Sequence, residues 1–268
     1  MIFFFVLLAF LPSFAWLLFF LREDNHPEPK RLLATLFIGG FIAAALALAA
    51  QIFLTQTMGL PELSQFSRLP TSFPLAVTAF LVAFIFGGTE EVGKFIPTYF
   101  LVRKNKSFDE PVDAMIYMTT AGLGFAFIEN AAILAFSFEH ALIGNTIGLL
   151  ILRFVGATLL HALSSAVAGY FWARAMAHWQ SRAGNGGAHP EFIQNHEPVH
   201  ARIFIGGLLF ASLLHGIFNY LIISSQELLI YPTVFLIITA FFVFWDFEKL
   251  KKPTPAETDD ALPQKITI

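Results

Sequence analysis

Seven stretches of this chain are apolar for long enough to cross a lipid bilayer, and that leaves it few ways to fold. They run approximately over 1–21, 32–54, 74–102, 112–138, 146–175, 201–224 and 228–246. At about 1.5 Å per residue, roughly 20 residues span the hydrocarbon core. Inside that core the backbone must satisfy its own hydrogen bonds, so only helices and closed barrels survive. Leu, Phe, Ala and Ile fill the stretches without the strict alternation of a barrel strand. The expected fold is therefore all-α, a polytopic membrane helix bundle of about seven transmembrane helices. Composition agrees: 56% of residues are hydrophobic, 13% are charged and the mean hydropathy is +0.68, whereas soluble domains carry about 25% charged residues. A net charge of −3 predicts no nucleic-acid partner. The absence of cysteine excludes disulfides and thiolate metal sites.

Flanking charges set the direction. Residues 1–21 lack a basic leading region and a clear small-residue cleavage site, so they read as the first span and not as a cleaved signal peptide. Arg22, Lys30 and Arg31 follow the first span, and Arg103, Lys104 and Lys106 follow the third. Arg174, Arg182 and Arg202 lie around the connection from the fifth to the sixth, and Lys249, Lys251, Lys252 and Lys265 follow the seventh. The opposite side holds only Arg68. Cytoplasmic loops collect Lys and Arg, so the N-terminus is expected outside and the C-terminus inside. Residues 1–248 read as a single membrane domain, and 249–268 as a disordered cytoplasmic tail. Arg153 is expected to snorkel to the outer interface. Asp113 is expected at the inner start of the fourth helix, where a carboxylate suits the helix dipole. His178, His189, His196 and His200 make the inner loop histidine-rich, but with no regular ligand spacing.

Against this apolar background, polar side chains recur on four helices. The third carries Glu90, Glu91 and Lys94, and the fourth carries Phe125, Glu129 and Asn130. The fifth carries His161 and Ser165, and the sixth His215 and Asn219. An ionisable group at mid-bilayer costs about 2.5–3.5 kcal/mol on insertion scales, so a site is the default explanation. Glu90 and Lys94, His161 and Ser165, and His215 and Asn219 are each four residues apart, which places each pair on one helix face. Depth is a second test. Counted from inner ends at 103, 174 and 201, Glu90 lies 13 residues in, His161 13 and His215 14, or roughly 20 Å. Glu129, 18 residues from 111, would lie roughly 27 Å in, about a turn further out. Adjacent glutamates point about 100° apart, so one can pair with Lys94 while the other faces a cavity. Such close carboxylates titrate as a coupled pair, which suits a general acid or base. Gly87, Gly88, Gly122, Gly124 and Gly216 flank the same places. They allow close helix approach, or leave room for substrate or water.

The order of these motifs resembles the PrsW family of intramembrane proteases, which shows EExxK, then FxxxEN, then histidines on later helices. Here EExxK is Glu90-Glu91-Val92-Gly93-Lys94 and FxxxEN is Phe125 to Asn130. The later histidines are His161, with Ser165 one turn on, and His215, with Asn219 one turn on. The resemblance covers about residues 74–224, the expected catalytic core. The related CAAX prenyl proteases carry EExxxR and FxxxH, so lysine at 94 and Glu129-Asn130 favour the PrsW branch. The superfamily also contains a non-catalytic scaffold subunit, a role the intact glutamate pair argues against.

The resemblance implies an intramembrane peptidase of the bacterial inner (plasma) membrane. It further implies a membrane-anchored, single-span substrate of the anti-sigma-factor class. On this reading Glu90 or Glu91 activates water as general base, and His161 assists proton transfer or binds metal. His215 and Asn219 polarise the scissile carbonyl. Lys94 balances charge, and Phe125, Glu129, Asn130 and Ser165 support the site. His161, His215 and Glu91 make a candidate zinc site with an open position. Relatives are described both as metalloproteases and as metal-independent glutamic proteases, and these residues fit either chemistry. Two alternatives stand beside the protease: a proton-coupled carrier, since intramembrane Glu, His and Lys also form proton relays, and a scaffold that binds transmembrane helices without cutting them.

Overall fold

The computed structural model describes residues 2–24, 26–66, 72–139, 156–183, 198–224 and 230–251. Seven long helices form: α1 Ile2–Phe20, α2 Lys30–Met58, α3 Phe73–Val102, α4 Pro111–Glu139, α5 Thr158–Ala183, α6 Pro198–Ser224 and α7 Ile230–Leu250. A single turn, Leu63–Phe66, lies between α2 and α3. There is no strand among the described residues. Six of the long helices are long and apolar enough to cross a membrane on their own residues, and α5 is the seventh. The outer half of its expected span, 146–155, lies outside the described residues, as do Arg153, His189, His196 and residues 252–268 of the expected tail.

Local sequence explains the helix limits. Pro29 precedes α2, where its fixed φ and missing N–H cost little. Gly59 ends α2 at φ 68°, its N–H bonded to the carbonyl of Leu54; a left-handed cap of this kind strongly favours glycine. Pro111 opens α4. Asp113 accepts the backbone N–H groups of Asp109 at 3.1 Å and Glu110 at 2.7 Å, at the start of α4 where it was expected. Helix α2 outlasts its expected end at 54 by four residues, and two other helices extend into polar sequence. Helix α5 runs on to Ala183, eight residues past the expected end at 175. The stretch from Arg174 to Arg182 turns polar, but it holds no proline or glycine to break the helix. Helix α7 includes Lys249 and Leu250, and Lys251 bonds Glu23 at 2.6 Å and Glu248 at 2.9 Å, so the start of the expected tail is structured.

Five helices close a ring in the order α2, α3, α6, α5, α4 and back to α2, while α1 packs outside α4 and α7 outside α5 and α6. Small residues set the close approaches. A Cβ on Gly40 would overlap the Ala121 carbonyl oxygen, and one on Gly124 would overlap that of Phe37. The first turns of α5 and the inner half of α4 are buried on every face, with 112–126 and 158–170 wholly inside. On α2 and α7, Ile38, Ile42, Phe53, Phe241 and Phe242 point outward, the apolar exterior a lipid-facing bundle needs. Near the inner end, Tyr117 Oη lies 2.7 Å from both Glu28 Oε2 and the Ser107 carbonyl oxygen. One hydroxyl proton serves one acceptor. Burial raises the Glu28 carboxyl above its ordinary range, and the hydrogen bond from Tyr117 opposes that rise.

Candidate active site

The ring encloses the polar side chains that the sequence had scattered over four helices. Helix α3 projects its glutamates inward because Gly87 lets α6 approach: a Cβ there would stand 3.1 Å from the Cβ of His215. The two glutamates then diverge. Glu91 is wholly buried, and its Oε1 accepts from Lys94 Nζ at 2.7 Å and Ser164 Oγ at 2.8 Å and lies 2.8 Å from His215 Nδ1. Three donors converge on one carboxylate oxygen. Glu90 is held by one neutral amide, Gln51 Nε2, which donates to Oε1 at 3.1 Å. Its Oε2 is buried and makes no hydrogen bond. That oxygen lies 3.3 Å from His215 Nε2 and 4.0 Å from His161 Nδ1.

His161 is gripped at both ring nitrogens. Nδ1 lies 2.9 Å from Lys94 Nζ, and Nε2 lies 2.8 Å from Glu129 Oε2. An ammonium only donates, so Nδ1 accepts and the neutral ring donates from Nε2 to Glu129. The two imidazoles meet nearly edge to face at 5.0 Å. Phe125 walls this side, with its ring 5.0 Å from that of His161 and 4.9 Å from Lys94 Nζ. Exposure grades across the cluster: Lys94 and Glu91 side chains are 0% exposed, Glu90 11% and Glu129 35%. The open side is therefore that of Glu90 and Glu129.

Several expectations take a different form. Of the two glutamates, between which the sequence left the choice open, Lys94 pairs with Glu91, three residues away. Glu129 touches His161 despite its greater counted depth. Helical Cβ atoms lean towards the N-terminus, so Glu129 on α4 leans inward while His161 on the antiparallel α5 leans outward, and the gap closes. Ser165, expected on the face of His161, is buried with no hydrogen bond to its hydroxyl and packs at Gly122 of α4. Ser164 is the serine that reaches the glutamates. Because α5 is enclosed on all sides, its faces meet different helices, and the site takes the side of residues 161 and 164. Asn130 donates to Thr158 Oγ1 at 2.9 Å, tying α4 to the start of α5. Asn219 lies half-buried one turn beyond His215 and bonds no described side chain. Sequence reasoning missed Ser164 and Gln51. Gln51 is the only polar side chain of α2 between Thr35 and Thr55, a signal that was there to be read.

The donor set fits a metal. Glu90, His161 and His215 each offer a ligand atom, all within 4.8 Å of one another. Glu90 Oε2 lacks a partner, and two imidazoles with one carboxylate match a catalytic zinc site. The carboxylate in that set is Glu90, where the sequence had pointed to Glu91, whose Oε1 is already committed to three donors. At His161 Nδ1 a metal and Lys94 Nζ exclude each other, because one lone pair serves one of them. A second acidic group, Glu28, Asp109 and Asp113, lies at the inner end, tied up by Tyr117 and the backbone N–H groups at the start of α4.

The chain is similar to known proteins over most of its length. The family described as PrsW family intramembrane metalloprotease matches residues 28–245. The chain is 24% identical over 220 residues to "Protease PrsW" of Geobacillus kaustophilus, covering 82% of this chain and 79% of that one. It is 26% identical over 228 residues to "Protease PrsW" of Oceanobacillus iheyensis, covering 84% and 87%. No solved structure matches the chain.

Proposed function

The chain belongs to the PrsW family of intramembrane metalloproteases and is a peptidase, and from that premise we propose how its residues cut. The substrate is a membrane-anchored, single-span protein of the anti-sigma-factor class, cleaved in or near the outer half of the bacterial plasma membrane. Glu90 is the general base. The observation that carries this is Glu90 Oε2, a buried carboxylate oxygen without a hydrogen bond, beside two imidazoles and on the open side of the cluster. Glu91 is the anchor: Lys94, Ser164 and His215 all meet its Oε1, and although its Oε2 also makes no hydrogen bond, the side chain is wholly buried and cut off from the open side where Glu90 lies.

The reaction balances on these residues. A water gives a proton to Glu90 Oε2, and the resulting hydroxide adds to the scissile carbonyl carbon. Asn219, half-buried one turn beyond His215 on the same helix, is the donor assigned to the developing oxyanion; His215 donates through Nδ1 to Glu91, and its Nε2 serves the oxyanion only as the doubly protonated imidazolium. As the C–N bond breaks, the Glu90 carboxyl returns its proton to the leaving amine. His161, neutral between Lys94 and Glu129, links the buried cluster to the half-exposed Glu129. Where zinc is bound, Glu90, His161 and His215 would hold it in place of the Lys94 contact at His161 Nδ1, and the ion would polarise the carbonyl and acidify the water, the task that falls to the free Glu90 carboxylate without it.

Purified protein offered a panel of single-span substrates tests the proposal. Glu90→Gln should lower turnover about 10²- to 10⁴-fold, the usual weight of a general base. Cleavage by Glu90→Gln at the parent rate would overturn the assignment. A chelator arm reads the metal: loss of cleavage restored by zinc assigns it, and unchanged cleavage assigns the chemistry to Glu90 alone.

A further inference from the structure

We infer that Gln51 of α2 is a positioning residue for the general base, holding Glu90 so that its second oxygen stays free for the water. The inference rests on the reading of Glu90 as base, and adds a fifth helix to a machinery that the sequence motifs confine to four. Gln51 reaches Glu90 through the antiparallel register of α2 and α3. Gly39 lies against Leu101 and Ala47 against Gly93. One turn further out, Gln51 falls opposite Thr89 and Glu90.

The amide orientation follows from its neighbours. Gln51 Nε2 donates to Glu90 Oε1 at 3.1 Å and to Thr89 Oγ1 at 3.4 Å. Thr89 spends its own hydroxyl proton on the Phe86 carbonyl at 2.7 Å, so its oxygen can only accept from Gln51. Turning the amide over would set its oxygen against a carboxylate oxygen and against a hydroxyl with no proton to give. Both N–H groups are therefore spent on α3. Glu90 Oε1 takes its hydrogen bond from Gln51, whereas Oε2 faces the histidines without one. Without Gln51 the carboxylate would be free to rotate, and either oxygen could turn to His215. The water would then meet its base in the productive geometry only part of the time. Gln51 touches neither substrate nor reacting atoms, so it acts through Glu90.

The test is steady-state kinetics on Gln51→Met, which keeps length and apolar packing and loses only the donors. Turnover should fall about 10- to 100-fold, the scale of a misplaced catalytic group, with KM within about twofold. Gln51→His, which returns an N–H at similar reach, should recover most of the turnover. Gln56→Leu, an exposed position on the same helix, should match the parent. Added to Glu90→Gln, Gln51→Met should cause no further loss, because two residues acting as one unit are not additive. Full turnover in Gln51→Met, or a loss expressed only in KM, would overturn the inference. If Glu90→Gln is inactive and Gln51→Met fully active, the positioning role alone fails. If Glu90→Gln is active, the base assignment fails with it.

Discussion

Lys94 is wholly buried, at mid-helix, in contact with a carboxylate, an imidazole and an aromatic ring. A lone ammonium there would be prohibitive, and Glu91 is what makes it tolerable. Lys94→Met therefore leaves Glu91 as an uncompensated buried anion, and should destabilise the protein by about 3–5 kcal/mol. Lys94→Met with Glu91→Gln removes both charges and should regain much of that loss. Thermal unfolding in detergent of the two single variants and the double measures the coupling; a parent-like melting temperature for Lys94→Met would mean that the pair is not formed. At this scale the sequence was legible in kind but not in assignment. It marked Glu90, Glu91, Lys94, His161 and His215, because charge and imidazole stand out against Leu and Phe. It could not separate the two glutamates, since a 100° step says that they diverge but not which way. That choice lies with Gln51 and Ser164, two neutral residues with no cost large enough to draw notice.

The helices are held at their working distances by glycine, and here the glycines are not equivalent. At Gly88 an added Cβ would meet Ser212 Oγ at 3.6 Å, ordinary contact. At Gly124 it would strike the Phe37 carbonyl oxygen, and at Gly216 the Cα of Phe84 at 2.7 Å. Backbone cannot swing aside as a side chain can, so α2 and α4 would have to separate in the first case, and α3 and α6 in the second. Gly88→Ala should thus leave melting temperature and turnover near parent values. Gly124→Ala should cost about 1–3 kcal/mol, as overpacking does, and should lower turnover too, since α2 carries Gln51 away from Glu90. Equal effects of the two substitutions on unfolding and cleavage would refute the packing argument. The sequence marked Gly87, Gly88, Gly122, Gly124 and Gly216 alike as close-approach residues. It missed Gly40, whose apolar surroundings on α2 hold no charge to point to it. Helix spans were readable to within a few residues where lipid ends the helix. They were not readable at the inner end of α5, where the helix outlasts the membrane and no breaker stands before Ala183.

At the level of the whole molecule, the matched depth of Glu90, His161 and His215 was a real signal, because three helices of alternating direction meet at one level in the ring. It was right for α5 despite a wrong helix end, since the count began at Arg174, where the sequence turns basic, and not at the helix terminus. The same charges argue the orientation: with the basic side inward, Glu129, the most exposed member of the cluster, lies by residue count about a turn further out than the histidines, and we expect the site to meet substrates from outside. The chain has no cysteine, so single cysteines report sidedness without background. Gln65→Cys lies exposed on the α2–α3 connection, and Lys104→Cys lies exposed between α3 and α4. Replacing one lysine leaves the basic excess of the inner side intact, so the orientation itself should not change. A membrane-impermeant maleimide added to intact cells should label position 65 at once and position 104 only after the membrane is opened. The reverse pattern would invert the bundle and turn the open side of the site to the cytoplasm. A substrate cut on the outer face would then be ruled out, while the contacts within the ring would stand unchanged.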